Sequence, residues 1–274
     1  MSSPSKSLTL NDIVKIQLAT NGKGYEVQNN RSNELEIRFG TRGRSKITPI
    51  DYDNVIKKLK SLGFSPENVL GEEFLKIQNQ FVDPKTGNTK LSNLRTTISG
   101  LNAIQKYCKE NKLTNIPDLQ KEFMIKMFAK DSKGTPIYPI NKDDFNMRIS
   151  YQTESIVNEE SSIVKSITDV WDDSKKTFRY INRVSFRKDG IPLRFDLSIV
   201  KSSNFDKRRQ LIPAYNIAES GVFENTPSYE IEIELDNSQV GNYTAYESPE
   251  SVEKMIKYGI KLILGGLQES NYPI

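Results

Sequence analysis

Two stretches of the chain alternate acidic and apolar residues with a period of two: Glu34-Leu35-Glu36-Ile37-Arg38-Phe39 near the start and Tyr229-Glu230-Ile231-Glu232-Ile233-Glu234-Leu235 near the end. Side chains in a strand point alternately to its two faces. The pattern therefore predicts Glu34, Glu36 and Arg38 on one face and Leu35, Ile37 and Phe39 on the other. Likewise Glu230, Glu232 and Glu234 lie opposite Ile231, Ile233 and Leu235. Between these segments the same period carries positive charge. Arg148, Ser150 and Glu154 share a face, as do Arg183, Ser185 and Arg187, and again Arg194, Asp196 and Ser198. Arg95 and Lys126 fall in shorter strands of the same kind.

Around these strands the pattern predicts a helix near 10–19 and a second from Thr48 to Leu62. Thr48 and Asp51 are placed to cap the second one, and Val55, Ile56, Leu59 and Leu62 form its apolar stripe. Strands are expected over 73–98 with a turn at 84–88, then a helical insertion over 101–121, then strands at 122–129 and 145–154. The strands at 176–188 and 192–201 meet at Asp189-Gly190, a tight hairpin signal. The last strand is Ser228–Asp236. A C-terminal helix opens with Ser248 as cap and Pro249 in its first position, and its stripe, from Val252 to Leu267, demands a partner surface. Residues 1–8 read as a loose tail and 9–274 as one domain. Eight or nine strands, most joined without long crossovers, point to a mainly β (α+β) fold: an antiparallel barrel with helices packed outside.

Composition narrows the chemistry. The chain has 39 basic and 35 acidic residues for a net charge of +4, so it does not bind nucleic acid by bulk charge. It has one cysteine, Cys108, and no histidine. An intramolecular disulfide is excluded, as are Ser-His-Asp and Cys-His catalysis and His-ligated zinc. No apolar run approaches the roughly 18 residues of a membrane span, and the first residues lack a secretory signal, so an intracellular, cytoplasmic protein without a membrane partner is expected.

Two carboxylates about 4 Å apart repel by roughly 4 kcal/mol at an effective dielectric near 20. Five turned inward together would rival a whole domain's stability of about 5–15 kcal/mol. They are tolerable in a wet cavity with cations nearby, and all-oxygen ligation suits Mg²⁺ or Mn²⁺. The strand positions favour Arg over Lys, and the guanidinium fork matches phosphate oxygens in a bidentate way. Carboxylate floor and arginine walls together fit a metal-bound polyphosphate. Other signals are weaker. The Gly40–Lys46 segment lacks Walker spacing and reads as a basic loop at the barrel mouth. Lys188-Asp189-Gly190 reads as a turn. Trp171 and the dispersed Tyr and Phe residues form no stacking platform in sequence and belong to core or rim.

The acidic strands at 34–40 and 229–235, the Arg-x-Ser strand at 148–154, the Arg-x-x-x-Arg strand at 183–187 and the Arg-x-Asp-Leu-Ser strand at 194–198 resemble, in order and spacing, the triphosphate tunnel metalloenzymes. Within that family the likeness is to the RNA triphosphatases of mRNA capping found in fungi, protists and large DNA viruses, and it covers about 30 to 236. The resemblance implies an eight-stranded antiparallel tunnel. It implies that Glu34, Glu36 and Glu234 bind the metal directly and that Glu230 and Glu232 hold metal-bound water. Arg95, Lys126, Arg148, Arg183, Arg187 and Arg194 would grip phosphates, with Asp196, Ser198 and Glu154 orienting them. The family commonly has a Lys where this chain has Ser185, so either Lys201 or a neighbouring strand supplies that charge, or the grip is weaker.

The activity so implied is removal of the γ-phosphate from triphosphate-ended RNA, with Glu232 orienting the water, and hydrolysis of nucleoside triphosphates as well. The chain has no nucleotidyltransferase lysine motif and no methyltransferase glycine motif, so a guanylyltransferase domain or subunit, in cis or in trans, is the expected partner. A viral source would place it in the virion or viral factory. Two alternatives stand beside this: a tunnel enzyme for tripolyphosphate, thiamine triphosphate or ATP, and a non-catalytic RNA-binding or assembly barrel.

Overall fold

The computed structural model describes residues 8–21, 31–40, 46–83, 85–113, 116 and 119–267. These residues form eleven strands: β1 (Arg31–Phe39), β2 (Ser65–Pro66), β3 (Glu72–Val82), β4 (Thr89–Leu91), β5 (Leu94–Ser99), β6 (Lys121–Phe128), β7 (Ile140–Lys142), β8 (Met147–Ile156), β9 (Lys176–Arg187), β10 (Leu193–Ser202) and β11 (Ser228–Leu235). Five α-helices accompany them: α1 (Leu10–Asn21), α2 (Pro49–Ser61), α3 (Leu101–Glu110), α4 (Ser162–Thr168) and α5 (Pro249–Leu264).

Eight strands run antiparallel in the order β9-β10-β11-β1-β8-β6-β5-β3, and β3 pairs back onto β9 to close a barrel. β2, β4 and β7 extend its edges. The period-two segments fall in mutual register. Ser185, Asp196, Glu232, Arg38 and Arg148 make one row around the wall. Arg194, Glu234, Glu36 and Ser150 make the next. Residues opposite one another across a ladder share a face, so the charged positions of successive strands all turn into the lumen.

The apolar positions turn outward and are covered by helices. Leu35, Ile37, Phe195, Leu197, Ile231 and Ile233 are fully buried beneath α1, α2 and α5. On the other flank Leu75, Ile77, Ile98 and Phe178 pack with α3 and α4. The helices thus spare the outer wall from water, and the polar face is left for the inside.

Local signals place the helices as expected. Thr48 and Asp51 form a capping box at α2, and Ser248 caps α5 ahead of Pro249. The α5 stripe packs so closely that a Cβ on Gly259 would meet Leu193 Cδ1 at 2.8 Å. Gly40 ends β1 with φ +78°, and a Cβ there would meet Ile47 at 2.9 Å. The turn after β3 is closed by Gly87 N–H donating to Asp83 O at 2.8 Å, while Pro84 lies outside the described residues. The insertion after β5 is helical only to Glu110, because Asn111 takes a left-handed conformation (φ 52°) and ends α3. The α4 helix was not expected. The loop at 41–45 and residues 1–7 of the expected tail lie outside the described residues. Among the described residues no helix is long and apolar enough to cross a membrane.

One mouth of the barrel is built by the connections β3–β4, β6–β8 and β10–β11, together with the exit from β1. The other is built by β5–β6, by the tight β9–β10 turn at Gly190 (φ +73°) and by the exit from β8.

Candidate active site

The lumen is lined by the charges that the alternation turns inward, and most of them meet. Asp196 is 1 % exposed. It accepts from Arg183 at 2.9 Å, from Arg194 at 3.0 Å and from Ser185 Oγ at 2.7 Å. Glu232, 6 % exposed, lies 2.6 Å from Arg38 and 3.0 Å from Arg183. Arg183 Nε also donates to Ser198 Oγ at 3.1 Å. Burial alone would raise the Glu232 carboxyl, but Arg38 and Arg183 outweigh it and pull it down to about 2. It stays a carboxylate at any physiological pH.

A second knot forms on β1, β6 and β8. Lys126 Nζ lies 2.7 Å from Glu34, 3.1 Å from Glu36 and 2.9 Å from Glu154. Its ammonium is desolvated, yet the three carboxylates hold its pKa above the ordinary lysine value. Arg194 pairs with Glu234, and Arg179 with Glu230 at 2.6 Å.

Three cations break this pattern. Among the described residues Lys76, Arg95 and Arg148 make no ion pair. Burial, then Arg183 beside it, brings the Lys76 ammonium down to about 8. Burial, then Arg179, likewise lowers Arg95. The buried Nε of Arg148 has no hydrogen-bond partner, and Arg148 sits opposite Arg38 in the ladder. An unpartnered buried cation is costly unless an anion arrives to complete it.

Two expectations change. Lys201 does not join the lumen: its Nζ donates to Phe223 O at 2.7 Å. It lies three residues past Ser198, so the pleat itself puts it on the outer face. Lys76 on β3, placed opposite Arg179, brings a lysine into the lumen from a neighbouring strand instead, where Ser185 supplies only a hydroxyl. Arg187 stands at the barrel end, paired with Glu67 at 2.7 Å and with Asp236, apart from the central cluster. Sequence reasoning missed both Lys76 and Arg179. Stepping back by twos from Arg183 reaches Arg179. Lys76 offers no such signal, because Glu72, Phe74, Lys76 and Gln78 mix charge with an aromatic.

The donors on β1 and β11 fit a hard divalent cation. They are oxygen only, and Glu36 faces Glu234 across the ladder. Burial and then the charge of Glu34 push Glu234 up to about 8, against Arg194. Burial also raises Glu34, with Lys126 opposing it. Carboxylates driven toward protonation by one another are relieved by a cation with open oxygen positions, as Mg²⁺ or Mn²⁺ has. Among the described residues no three acidic side chains form a ready-made cage. Lys126 and Arg194 hold those oxygens instead.

No protein-family model and no curated protein matches the sequence. Solved structures do match by shape. The triphosphatase of the Mimivirus capping enzyme superposes with a TM-score of 0.53 at 17% identity, covering 93% of this chain and 96% of that one. The Pct1 RNA triphosphatase of S. pombe, solved in complex with the Spt5 CTD, gives a TM-score of 0.42 at 12% identity, covering 97% and 96%. With eight strands closed around an inward array of glutamates and arginines, the chain has the triphosphate tunnel fold.

Proposed function

We propose that this chain is a metal-dependent phosphohydrolase that removes the γ-phosphate from the 5′-triphosphate end of RNA. The observation that carries the reading is the set of unpaired lumenal cations, Lys76, Arg95 and Arg148, beside the carboxylates of β1 and β11. Among the described residues these cations have no carboxylate of their own, while the carboxylates of β1 and β11 are held by Lys126, Arg38 and Arg194; a metal-bound polyphosphate gives the first group its anion and lets the metal replace the second group's partners. The fold shared with a capping-enzyme triphosphatase supports the same reading.

Phosphoryl transfer needs charge neutralisation and alignment more than covalent help. Mg²⁺ or Mn²⁺, held by Glu34, Glu36 and Glu234, would supply Lewis-acid polarisation of a phosphoryl oxygen. Lys76, Arg95 and Arg148 take phosphate oxygens directly. Lys126 and Arg194, now engaged by the carboxylates, turn to phosphate oxygens as well. Asp196, tied by Arg183, Arg194 and Ser185, fixes the two guanidinium groups in place. Glu232, held to about 2, is too weak a base to take a proton in the ground state and acts as the acceptor that aligns the attacking water. Products are a diphosphate end, suited to a later nucleotidyl transfer by a separate domain or subunit, and phosphate.

The test is phosphate release from triphosphate-ended RNA with Mg²⁺, Mn²⁺ or chelator, with tripolyphosphate, thiamine triphosphate and ATP as competitors. Glu36→Ala and Glu234→Ala lower turnover by at least about a hundredfold while circular dichroism remains unchanged. Near-normal hydrolysis by either variant, or full activity in chelator, refutes the proposal.

A further inference from the structure

If the triphosphate sits in the lumen, the rest of the RNA must leave through one of two mouths, and the two differ in chemistry. Among the described residues, three hairpins project from the mouth built by the β3–β4, β6–β8 and β10–β11 connections. The first extends the β3 ladder through Gln80–Leu91. The second is closed by the bridge Lys130–Pro136 and the third by the bridge Phe205–Leu211. Each presents a cation near its tip with an exposed ring at its base: Lys85 with Phe81, Lys133 with Tyr138, and Arg208 with Phe205. A ring and a cation carried by the same hairpin offer what single-stranded RNA needs, a face for bases and charge for phosphates. Tyr138 packs against Phe128 in a tilted arrangement, with centroids 5.5 Å apart and ring planes at 60°. Nearby, Lys175 lies over the ring of Tyr215 at 5.2 Å.

Backbone geometry adds an independent sign at the third tip. Arg209 adopts φ +60°, a left-handed conformation that glycine or asparagine takes with less strain. The turn carries a guanidinium where a smaller residue would fold more easily. The opposite mouth carries Glu67, Glu72, Glu159, Glu160 and Asp189. Its Lys121 and Arg187 are taken up by Glu159 and Glu67. The hairpin mouth has acids too, Asp83, Asp131 and Asp206, but each accepts from the backbone N–H groups of its own turn, which leaves the tip cations there facing solvent.

We infer that the RNA chain behind the triphosphate leaves the barrel through the hairpin-bearing mouth, its bases stacking on Phe205 and Tyr138 and its phosphates held by Lys85, Lys133, Lys207, Arg208 and Arg209. This rests on the hydrolase reading for the position of the 5′ end, and it assigns a separate site for the nucleotides that follow. The lumen recognises phosphates; the rim distinguishes RNA from a free nucleoside triphosphate.

The experiment compares a twelve-nucleotide triphosphate-ended single-stranded RNA with ATP, in phosphate release and in fluorescence-anisotropy binding of the RNA. The variants are Phe205→Ala, Lys207→Ala combined with Arg208→Ala, and, at the other mouth, Lys121→Ala. Phe205→Ala weakens RNA binding by roughly tenfold. The double variant lowers the slope of log affinity against log salt by about one to two. Both leave ATP hydrolysis unchanged, and Lys121→Ala leaves RNA affinity unchanged. Equal loss with RNA and ATP, no loss with RNA, or as large a loss from Lys121→Ala overturns the inference. The two proposals fail separately. Rim-dependent RNA binding without any phosphate release sinks the hydrolase reading alone, and metal-dependent hydrolysis with rim-independent RNA binding sinks this one alone.

Discussion

Lys76 provides the sharpest test of how the lumen works, because its two roles pull in opposite directions. In the free protein its ammonium is desolvated beside Arg183 without an ion pair, Glu232 offsetting this only in part, and its pKa falls from the ordinary 10.5 to about 8. That difference corresponds to about 3 kcal/mol against the charged form, and water in the lumen screens it to about 1–3 kcal/mol. The sign follows from proton counting. Between about pH 8 and 10.5 the unfolded chain binds more protons at this residue than the folded one does, so its contribution to stability rises with pH across that window. Below it the folded protein carries the full penalty. Lys76→Met therefore stabilises the free protein at pH 7, raising Tm by about 2–8 °C for a chain of this size. The advantage vanishes above pH 10.5. With tripolyphosphate and Mg²⁺ present that advantage narrows. The unsubstituted protein gains about 2.7 kcal/mol at a ligand concentration one hundred times Kd. The variant loses a charge-assisted bond of about 1.5–3 kcal/mol, so Kd rises roughly tenfold to a hundredfold and most of that gain disappears. Differential scanning calorimetry at pH 7 and pH 10.5, with and without ligand, reads both effects. A variant that is less stable alone and still gains as much from ligand would show that Lys76 is a satisfied structural lysine, and the argument from unpaired cations would fall with it.

Arg183→Met leaves Asp196 and Glu232 buried with fewer counter-charges, and urea denaturation should show a loss of about 3–5 kcal/mol; a loss under 1 kcal/mol would mean that water already solvates both carboxylates. Gly259→Ala drives a methyl into Leu193 Cδ1, 2.8 Å away, and should cost about 1–3 kcal/mol in the same assay while leaving turnover per folded molecule unchanged. An unaltered midpoint would show that α5 shifts freely against the barrel.

Much of the site is legible before folding, for a local reason. Pleating alternates side chains within a single strand, so the sharing of one face by Glu34, Glu36 and Arg38, or by Arg194, Asp196 and Ser198, follows from spacing alone. The same rule, applied strictly, excludes Lys201. Helix caps are local too, and Thr48 and Ser248 act where their spacing places them. The short α4 and the early end of α3 at Asn111 were not legible. Seven residues carry too little periodicity to read, and a left-handed asparagine leaves no trace in the hydrophobic pattern.

Tertiary structure chose the partners. Lys126 comes to Glu34, some ninety residues away in sequence, because β6 and β1 flank β8, and no spacing rule encodes that order. Lys76 enters the lumen because β3 closes onto β9. Without closure that edge would be open and the lysine would find water. Which cations remain unpaired is likewise a property of the closed ring, since each register row brings together residues from several strands. The pleat decides which side chains face inward, a matter of a few bonds along one chain. Barrel closure decides which of them meet, because only a complete circuit of strand pairs removes the solvent that would otherwise separate their charges.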